Sequence, residues 1–228
     1  MKLLYVSDVY FPRVNGVSTS IRTFMHELRE LGHEVHLLAP AYGEGDREEA
    51  GVTRIKAFSV PFDPEDRFML AGKIRARVDE LAAENYDLVH IQTPFVAHRV
   101  GKQLARRLDV PVLETYHTYF EEYLNHYVPF SPPGLMRSLA RRMTRRQCND
   151  VDAVVVPSHA MREVLEGYGV RSPIEVVPTG LSPADFQSGD GEAFRRRFRI
   201  HRQRPTLVHI GRVAFEKNID FLMRVLRR

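Results

Sequence analysis

Short apolar runs rich in β-branched residues alternate with longer amphipathic stretches along most of this chain. Most of the runs are too apolar to have a face in water, which is typical of strands buried on both sides. The longer stretches repeat apolar residues at intervals of three and four, as helices that cover a sheet do. This alternation predicts an α/β fold with a doubly wound, Rossmann-like parallel sheet. The expected strands are KLLYVSD, EVHLLAP, TRIKAFSV, DLVHIQTP, PVLETYH, AVVVPS, IEVVPT and TLVHIGR.

Helices are expected between these runs. In the first of them Ile21, Phe24, Leu28 and Leu31 form an apolar stripe. Gly32 stands where the helix should end. Further helices are expected near residues 66–84, 95–107, 134–148 and 158–168.

A polar segment, LSPADFQSGDGEAF, interrupts the alternation and contains Pro183 and two glycines. It predicts a domain boundary near residue 180, with a Rossmann-like domain at 1–180 and a linker at 181–204. Residues 205–228 then supply one strand and one helix of a second α/β unit, which is too little to close a sheet. We therefore expect the chain to end inside its second domain.

Composition excludes several classes of protein. The hydrophobic and charged fractions are 43% and 27%, which is ordinary for a globular chain and unlike a disordered one. The single cysteine, Cys148, rules out an intrachain disulfide and a cysteine metal cluster. The N-terminal apolar run is broken at Asp8, too early for a signal peptide or a spanning helix. We expect a cytoplasmic protein, either soluble or peripheral at the inner face of the plasma membrane.

Positive charge is concentrated in the second half of the chain. Of 33 basic and 29 acidic residues, 15 and 17 lie in residues 1–120, which leaves 18 and 12 in residues 121–228. An anionic partner is therefore expected to bind there. The cluster FRRRFRIHRQR lacks any module that reads nucleic acid, so nucleic acid is not an expected partner.

A basic amphipathic helix is predicted at GLMRSLARRMTRRQCN. Leu135, Leu139 and Met143 form its apolar stripe, and a helix of this kind suits an anionic membrane surface. The alternative is a core helix whose arginines are merely solvated. The arginines on its flanks are Arg137, Arg141, Arg142, Arg145 and Arg146.

Ligands of open parallel sheets bind at the carboxyl ends of the strands, so the loops after the apolar runs are candidate sites. After the first run, Gly16 lacks a side chain where a backbone must approach a ligand, and the next helix offers unpaired N–H groups to a phosphate. The loop lacks the G-x-G-x-x-G pattern, which argues against a dehydrogenase. A plain strand-to-helix turn is the alternative interpretation.

His117 follows the strand PVLETY, where an imidazole can bind a sugar hydroxyl or move a proton. A structural histidine is the alternative. Glu121 and Glu122 are adjacent and diverge on a helix, which argues against a paired-carboxylate glycosidase.

Arg212 and Lys217 lie on one loop of the second unit, after the predicted strand TLVHIGR. An arginine fork and a lysine point charge can together hold a diphosphate. Two ordinary surface charges are the alternative.

Four of these segments, NGV, HTYFEEY, VVPTGL and GRVAFEKN, occur in the order and spacing of the retaining glycosyltransferases of family 4, which the chain resembles along its length. The resemblance implies the two-domain GT-B fold, with residues 1–180 on the acceptor side. It also implies a nucleotide diphosphate sugar as donor and substrate, no cofactor and no metal. HTYFEEY is similar to the corresponding phrase of lipid glucosyltransferases that act on diacylglycerol, and the chain is similar to bacterial lipid glucosyl- and mannosyltransferases. The same phrase occurs in relatives with other acceptors, so the expected acceptor is a lipid or a glycan, with a membrane lipid such as diacylglycerol favoured.

The same resemblance places Gly16 in the loop that approaches the donor phosphates and His117 at the sugar. Arg212 and Lys217 would hold the diphosphate. Asn15 departs from the family, in which many members have a second glycine, and the family's later pair of glutamates lies beyond residue 228. We expect this chain alone to be inactive. A non-catalytic nucleotide- or lipid-binding module on the same fold is the rival interpretation.

Overall fold

The computed structural model describes residues 1–60, 63–117, 133–181, 189–211, 213 and 217–226. The chain divides into two compact units, Met1–Ser182 and Pro183–Arg228. The described strands, all in the first unit, are β1 (Lys2–Val6), β2 (Glu34–Pro40), β3 (Val52–Ile55), β4 (Ala57–Val60), β5 (Asp63–Met69), β6 (Leu88–Ile91), β7 (Val112–Thr115), β8 (Ala153–Val156) and β9 (Ile174–Val176).

The helices of the first unit lie mostly between consecutive strands. They are α1 (Gly16–Glu30), α2 (Ala71–Arg75), α3 (Val78–Ala83), α4 (Val96–Leu108), α5 (Pro133–Cys148) and α6 (His159–Gly167). The described part of the second unit contains α7 (Gly191–Arg197) and α8 (Ile219–Val225).

Seven of these strands form one parallel sheet in the order β3-β2-β1-β6-β7-β8-β9. The order reverses at β1, which pairs with β2 on one side and with β6 on the other. Reversal opens a crevice at the carboxyl ends of β1 and β6, because the connections leave these two strands toward opposite faces. The predicted doubly wound parallel sheet is confirmed.

The core lies on both faces of this sheet. Along β1, Leu4 and Val6 belong to one apolar cluster, while Leu3 and Tyr5 belong to another. Successive side chains of a strand point to opposite faces, so both faces of β1 are covered. This explains why the strand sequences are continuous apolar runs.

Two sequence-based predictions in the first unit are confirmed only in part. The run TRIKAFSV is two strands: β3 joins the parallel sheet, whereas β4 pairs antiparallel with β5 in a separate two-stranded sheet. The helix expected near 66–84 begins only at Ala71, because residues up to Met69 belong to β5. Pairing between β4 and β5 overrides the helical pattern of the local sequence.

The strand predicted at TLVHIGR does not form. Residues 206–211 have no strand conformation, and Leu207, Val208 and Ile210 are 78%, 64% and 91% exposed. A strand is held by hydrogen bonds to a neighbour, and the described residues of the second unit include no other strand that could pair with it. The described residues of the second unit form two helices, and the start of a Rossmann-like domain at 205–228 stays a prediction.

Close packing of α4 on the sheet depends on Gly101. A Cβ built there would lie 2.6 Å from Cγ1 of Ile91, a fully buried residue of β6, whereas one built on Gly72 in α2 would meet nothing within 4 Å. Gly101→Ala and Gly72→Ala gain similar helix propensity. The difference between their free energies of unfolding therefore measures the crowding of the new methyl group against Ile91. We expect Gly101→Ala to be less stable than Gly72→Ala by about 1–3 kcal/mol. Urea denaturation measures both, and equal stabilities would contradict the packing described.

Candidate active site

Asp8 joins three elements at the switch point of the sheet. Its backbone N–H donates to Oγ1 of Thr93, just after β6, over 2.7 Å, and that hydroxyl donates back to Oδ2 of Asp8 over 2.8 Å. The N–H of Ala97, in the first turn of α4, donates to both carboxylate oxygens over 3.1 Å. The carboxylate thus occupies the positive end of the α4 dipole.

Burial raises the pKa of Asp8 from 3.8 to about 6, against the opposing effect of the hydrogen bonds from Ala97 and Thr93. Only 6% of the residue is exposed. Asp8 therefore organises the floor of the crevice and leaves little of its carboxylate for a ligand.

His117 lies two residues beyond β7, beside this floor. Its Nε2 donates to Oε1 of Gln92, the residue that follows β6, over 3.0 Å. Burial lowers the pKa of His117 to about 4, so the ring is neutral at pH 7. With the proton on Nε2, Nδ1 carries a lone pair that can accept a hydrogen bond from a hydroxyl group.

A second neutral histidine lies next to His117. Nε2 of His90 is 2.7 Å from Oγ1 of Thr115, and its ring meets that of Tyr5 edge-on at a centroid distance of 4.8 Å. Burial, and then the proximity of His117, lower the pKa of His90 to about 3. Both imidazoles therefore act as polar, uncharged groups near neutral pH.

Gly16 is the first residue of α1, and the preceding Asn15 is its N-cap. The Asn15 side chain accepts from the N–H of Ser18 over 2.8 Å. A Cβ on Gly16 would meet no protein atom within 4 Å, so the space beside it is open. The departure at Asn15 thus has a structural use, while phosphate binding at Gly16 stays a prediction.

The predicted diphosphate cations belong to the second unit. Lys217 is exposed just before α8, and Arg212 lies outside the described residues, as do Glu121 and Glu122. The roles assigned to Arg212 and Lys217 stay predictions.

The five arginines of α5 are all exposed. Four of them, with Tyr168 beyond α6, line a groove of about 530 Å³. The guanidinium of Arg141 lies over the Tyr168 ring, 5.4 Å from its centroid. The four are Arg137, Arg141, Arg142 and Arg145.

Two residues of the apolar stripe predicted for α5 do not face the core. Leu139 and Met143 are 54% and 36% exposed, whereas Ala140, Thr144 and Cys148 are buried. The buried face is a stripe of smaller residues with a spacing of four, and its Thr144 hydroxyl lies 3.3 Å from the Tyr116 hydroxyl. The described part of α5 therefore presents leucine, methionine and arginine together to its exposed side, while membrane binding by this side stays a prediction.

Comparison with known proteins decides the family. Residues 14–185 match the model of Glycosyltransferase Family 4, which is well over half of the chain. The chain belongs to glycosyltransferase family 4. The predicted family is thereby confirmed.

Curated relatives of this family 4 chain include lipid glycosyltransferases. The alpha-monoglucosyldiacylglycerol synthase of Streptococcus pneumoniae is 34% identical over 98% of this chain and 51% of its own length. The sulfoquinovosyl transferase of Arabidopsis thaliana is 27% identical over 98% and 44%. A GDP-mannose-dependent alpha-mannosyltransferase of Mycobacterium tuberculosis is 28% identical over 97% and 58%. The chain thus spans about half the length of these relatives.

Solved structures share the fold. The sucrose-phosphate synthase of Thermosynechococcus elongatus superposes with a TM-score of 0.71, at 17% identity, over 99% of this chain and 59% of its own. The HepE protein of Anabaena in complex with UDP and glucose superposes with a TM-score of 0.57, at 15% identity, over 87% and 50%. The predicted GT-B class agrees with these neighbours.

Two general properties of this family 4 chain bear on the site. In the part of the chain that the structure describes, no three His, Cys, Asp or Glu side chains are grouped so that they could hold a metal ion. No helix among those residues is both long and apolar enough to cross a membrane.

Sequence reasoning located His117 but missed Asp8, Gln92 and Thr93 as parts of the same site. The signal was present, because Asp8 follows β1 and the other two follow β6, at the strand ends where ligands of such sheets bind. The local pattern identifies these polar residues as the ends of strands, but it does not show that they lie beside His117.

Asp8 makes folding depend on pH. Its pKa is higher in the folded chain than in the unfolded one, so its contribution to stability is full below about pH 4 and is lost as the pH rises through about 6. From pH 4 to 7 we expect wild type to lose about 3 kcal/mol relative to Asp8→Asn in urea denaturation. Asp79→Asn, at an exposed carboxylate, is the control and should follow wild type. Parallel curves for wild type and Asp8→Asn would contradict the assignment.

Proposed function

We propose that this chain forms the acceptor-side part of a retaining glycosyltransferase, which moves a hexose from a nucleotide diphosphate sugar to a membrane lipid such as diacylglycerol. The observation that carries the proposal is the neutral His117 at the switch-point crevice of a family 4 sheet. Its acceptor nitrogen suits a sugar hydroxyl. The name of the pneumococcal relative, a monoglucosyldiacylglycerol synthase, supports a lipid acceptor.

The transfer breaks the bond between sugar C1 and the diphosphate and forms one between C1 and an acceptor oxygen. The acceptor hydroxyl gives up its proton, which the departing nucleotide diphosphate takes up. Charge grows on the departing diphosphate, which cations and backbone N–H groups stabilise. We assign this role to Arg212 and Lys217 and to the N-terminus of α1 at Gly16, where the open space admits a phosphate. No cofactor or metal ion has a part in this proposal.

The length of the chain beside that of its relatives supports a further part of the proposal, that the donor site is completed elsewhere. Because the chain spans about half of its curated relatives, we assign the complete donor site to a longer protein and expect these 228 residues alone not to catalyse transfer.

The first test is His117→Ala in the complete gene product. We expect the turnover of hexose transfer to diacylglycerol to fall by about 100-fold or more, as for loss of a group that acts on a substrate hydroxyl. His26→Ala, at an exposed histidine of α1, is the matched control and should retain wild-type turnover. Nucleotide-sugar binding without transfer to any lipid or glycan would favour the non-catalytic module instead.

The exposed face of α5 supports an anionic membrane surface as partner. Arginines provide charge there, and Leu139 and Met143 provide apolar side chains that can enter the headgroup region. Each arginine near an anionic surface contributes about 1 kcal/mol. The enzyme would then work at the inner face of the plasma membrane as a peripheral protein.

Flotation of this chain with vesicles tests that surface. We expect binding to vesicles that contain phosphatidylglycerol, release as salt rises, and no binding to pure phosphatidylcholine. Changing the five α5 arginines to glutamine should lower the affinity by about 100-fold or more. A control with the same net charge changes five arginines of the second unit to glutamine and should still bind: Arg196, Arg197, Arg199, Arg202 and Arg204. An equal loss of vesicle affinity in both variants would mean that net charge, and not the exposed face of α5, accounts for binding.

A further inference from the structure

We propose that Gln92 is a positioning residue that holds His117 in one neutral tautomer, in which Nδ1 is the atom that accepts a hydrogen bond from substrate. The inference rests on the proposed function for the identity of that substrate. The contact itself, between Oε1 of Gln92 and Nε2 of His117 at 3.0 Å, is independent of it.

Gln92 is held rigidly enough for such a role. Its backbone N–H donates to the carbonyl of Val6 over 2.9 Å, which ties the end of β6 to the end of β1. Only 2% of the residue is exposed. The hydroxyl of the next residue, Thr93, donates to the carboxylate of Asp8. Gln92 and Thr93, the two residues that follow β6, are therefore both hydrogen-bonded to the end of β1 or to the loop that follows it.

The orientation of the Gln92 amide, with Oε1 toward Nε2 of His117, determines which tautomer is favoured. A carbonyl oxygen can only accept, so Nε2 of His117 must carry the proton, and a neutral imidazole has no second one for Nδ1. An amide also brings no negative charge, so it does not favour the imidazolium as a carboxylate would. Gln92 therefore orients the ring and keeps it uncharged.

The first unit also contains a buried histidine whose partner is a carboxylate. Nδ1 of His98 lies 3.0 Å from Oε2 of Glu114, both buried between α4 and β7. The chain thus pairs one enclosed histidine with a carboxylate and His117 with an amide. Of the titratable groups in the described residues, His90 is the one whose pKa responds to His117, and its Nε2 is paired with Thr115.

Nitrogen-15 NMR of this chain, labelled at histidine, tests the contact without any enzyme assay. We expect His117 to carry its proton on Nε2 and to titrate below pH 5. Gln92→Glu places a carboxylate on the same atom and should raise the pKa of His117 by one unit or more. Gln103→Glu, the same change on the exposed side of α4, should leave it unaltered. An unaltered His117 titration in Gln92→Glu would overturn the proposal.

A second variant covers the case in which a buried carboxylate prevents folding. Gln92→Met retains the size of the side chain but removes the acceptor, so it should leave His117 as a mixture of tautomers while the circular dichroism spectrum is unchanged. A single Nε2–H tautomer in a folded Gln92→Met protein would also overturn the proposal.

In the complete gene product, the acid limb of the pH profile of kcat/KM should move up by one unit or more in Gln92→Glu and stay in place in Gln103→Glu. An unmoved limb, with His117 shifted in the NMR spectrum, would overturn the positioning role. Should His117→Ala leave transfer intact while Gln92→Glu still shifts the His117 resonances, the proposed function fails and the contact stands.

Discussion

The carboxylate of Asp8 is the interaction on which the candidate site depends. It meets the N-terminus of α4 and the Thr93 hydroxyl where the strand order reverses, so it joins β1, β6 and a covering helix at one point. Removing a carboxylate from water is costly, and these hydrogen bonds offset part of that cost. The floor of the crevice is therefore a polar network inside an apolar core, with its geometry determined before a ligand arrives.

The two imidazoles beside that floor are uncharged, and the arginines of α5 lie elsewhere in the first unit. His90 and His117 are neutral because they are enclosed, and the α5 arginines lie on an exposed face instead. This separation suits a site that handles hydroxyl groups beside a surface that attracts anions.

Much of the fold could be predicted from local patterns, and the failures share a cause. The runs that became β1, β2 and β6 to β9 and the helices α1, α4 and α6 have periodicities that agree with their final environment. The corrected predictions, the start of the helix expected near 66–84 and the strand at TLVHIGR, concern segments whose conformation depends on a pairing partner: β5 pairs with β4, and residues 206–211 have no strand beside them in the described structure. Periodicity describes a segment, whereas a ladder of hydrogen bonds needs two.

The sequence by itself determined the class of sheet, the caps of its helices and the rule that polar residues at strand ends form the site. Asn15 and Ser158 cap α1 and α6 with side chains three residues from the N–H groups they satisfy. Only the tertiary structure decided that Gln92 meets His117 across 25 residues and that Asp8 meets Ala97 across 89. It also decided which face of α5 is buried and which groups are charged. Caps and periodicity act within one turn or one strand, while desolvation depends on atoms that folding brings from remote parts of the chain.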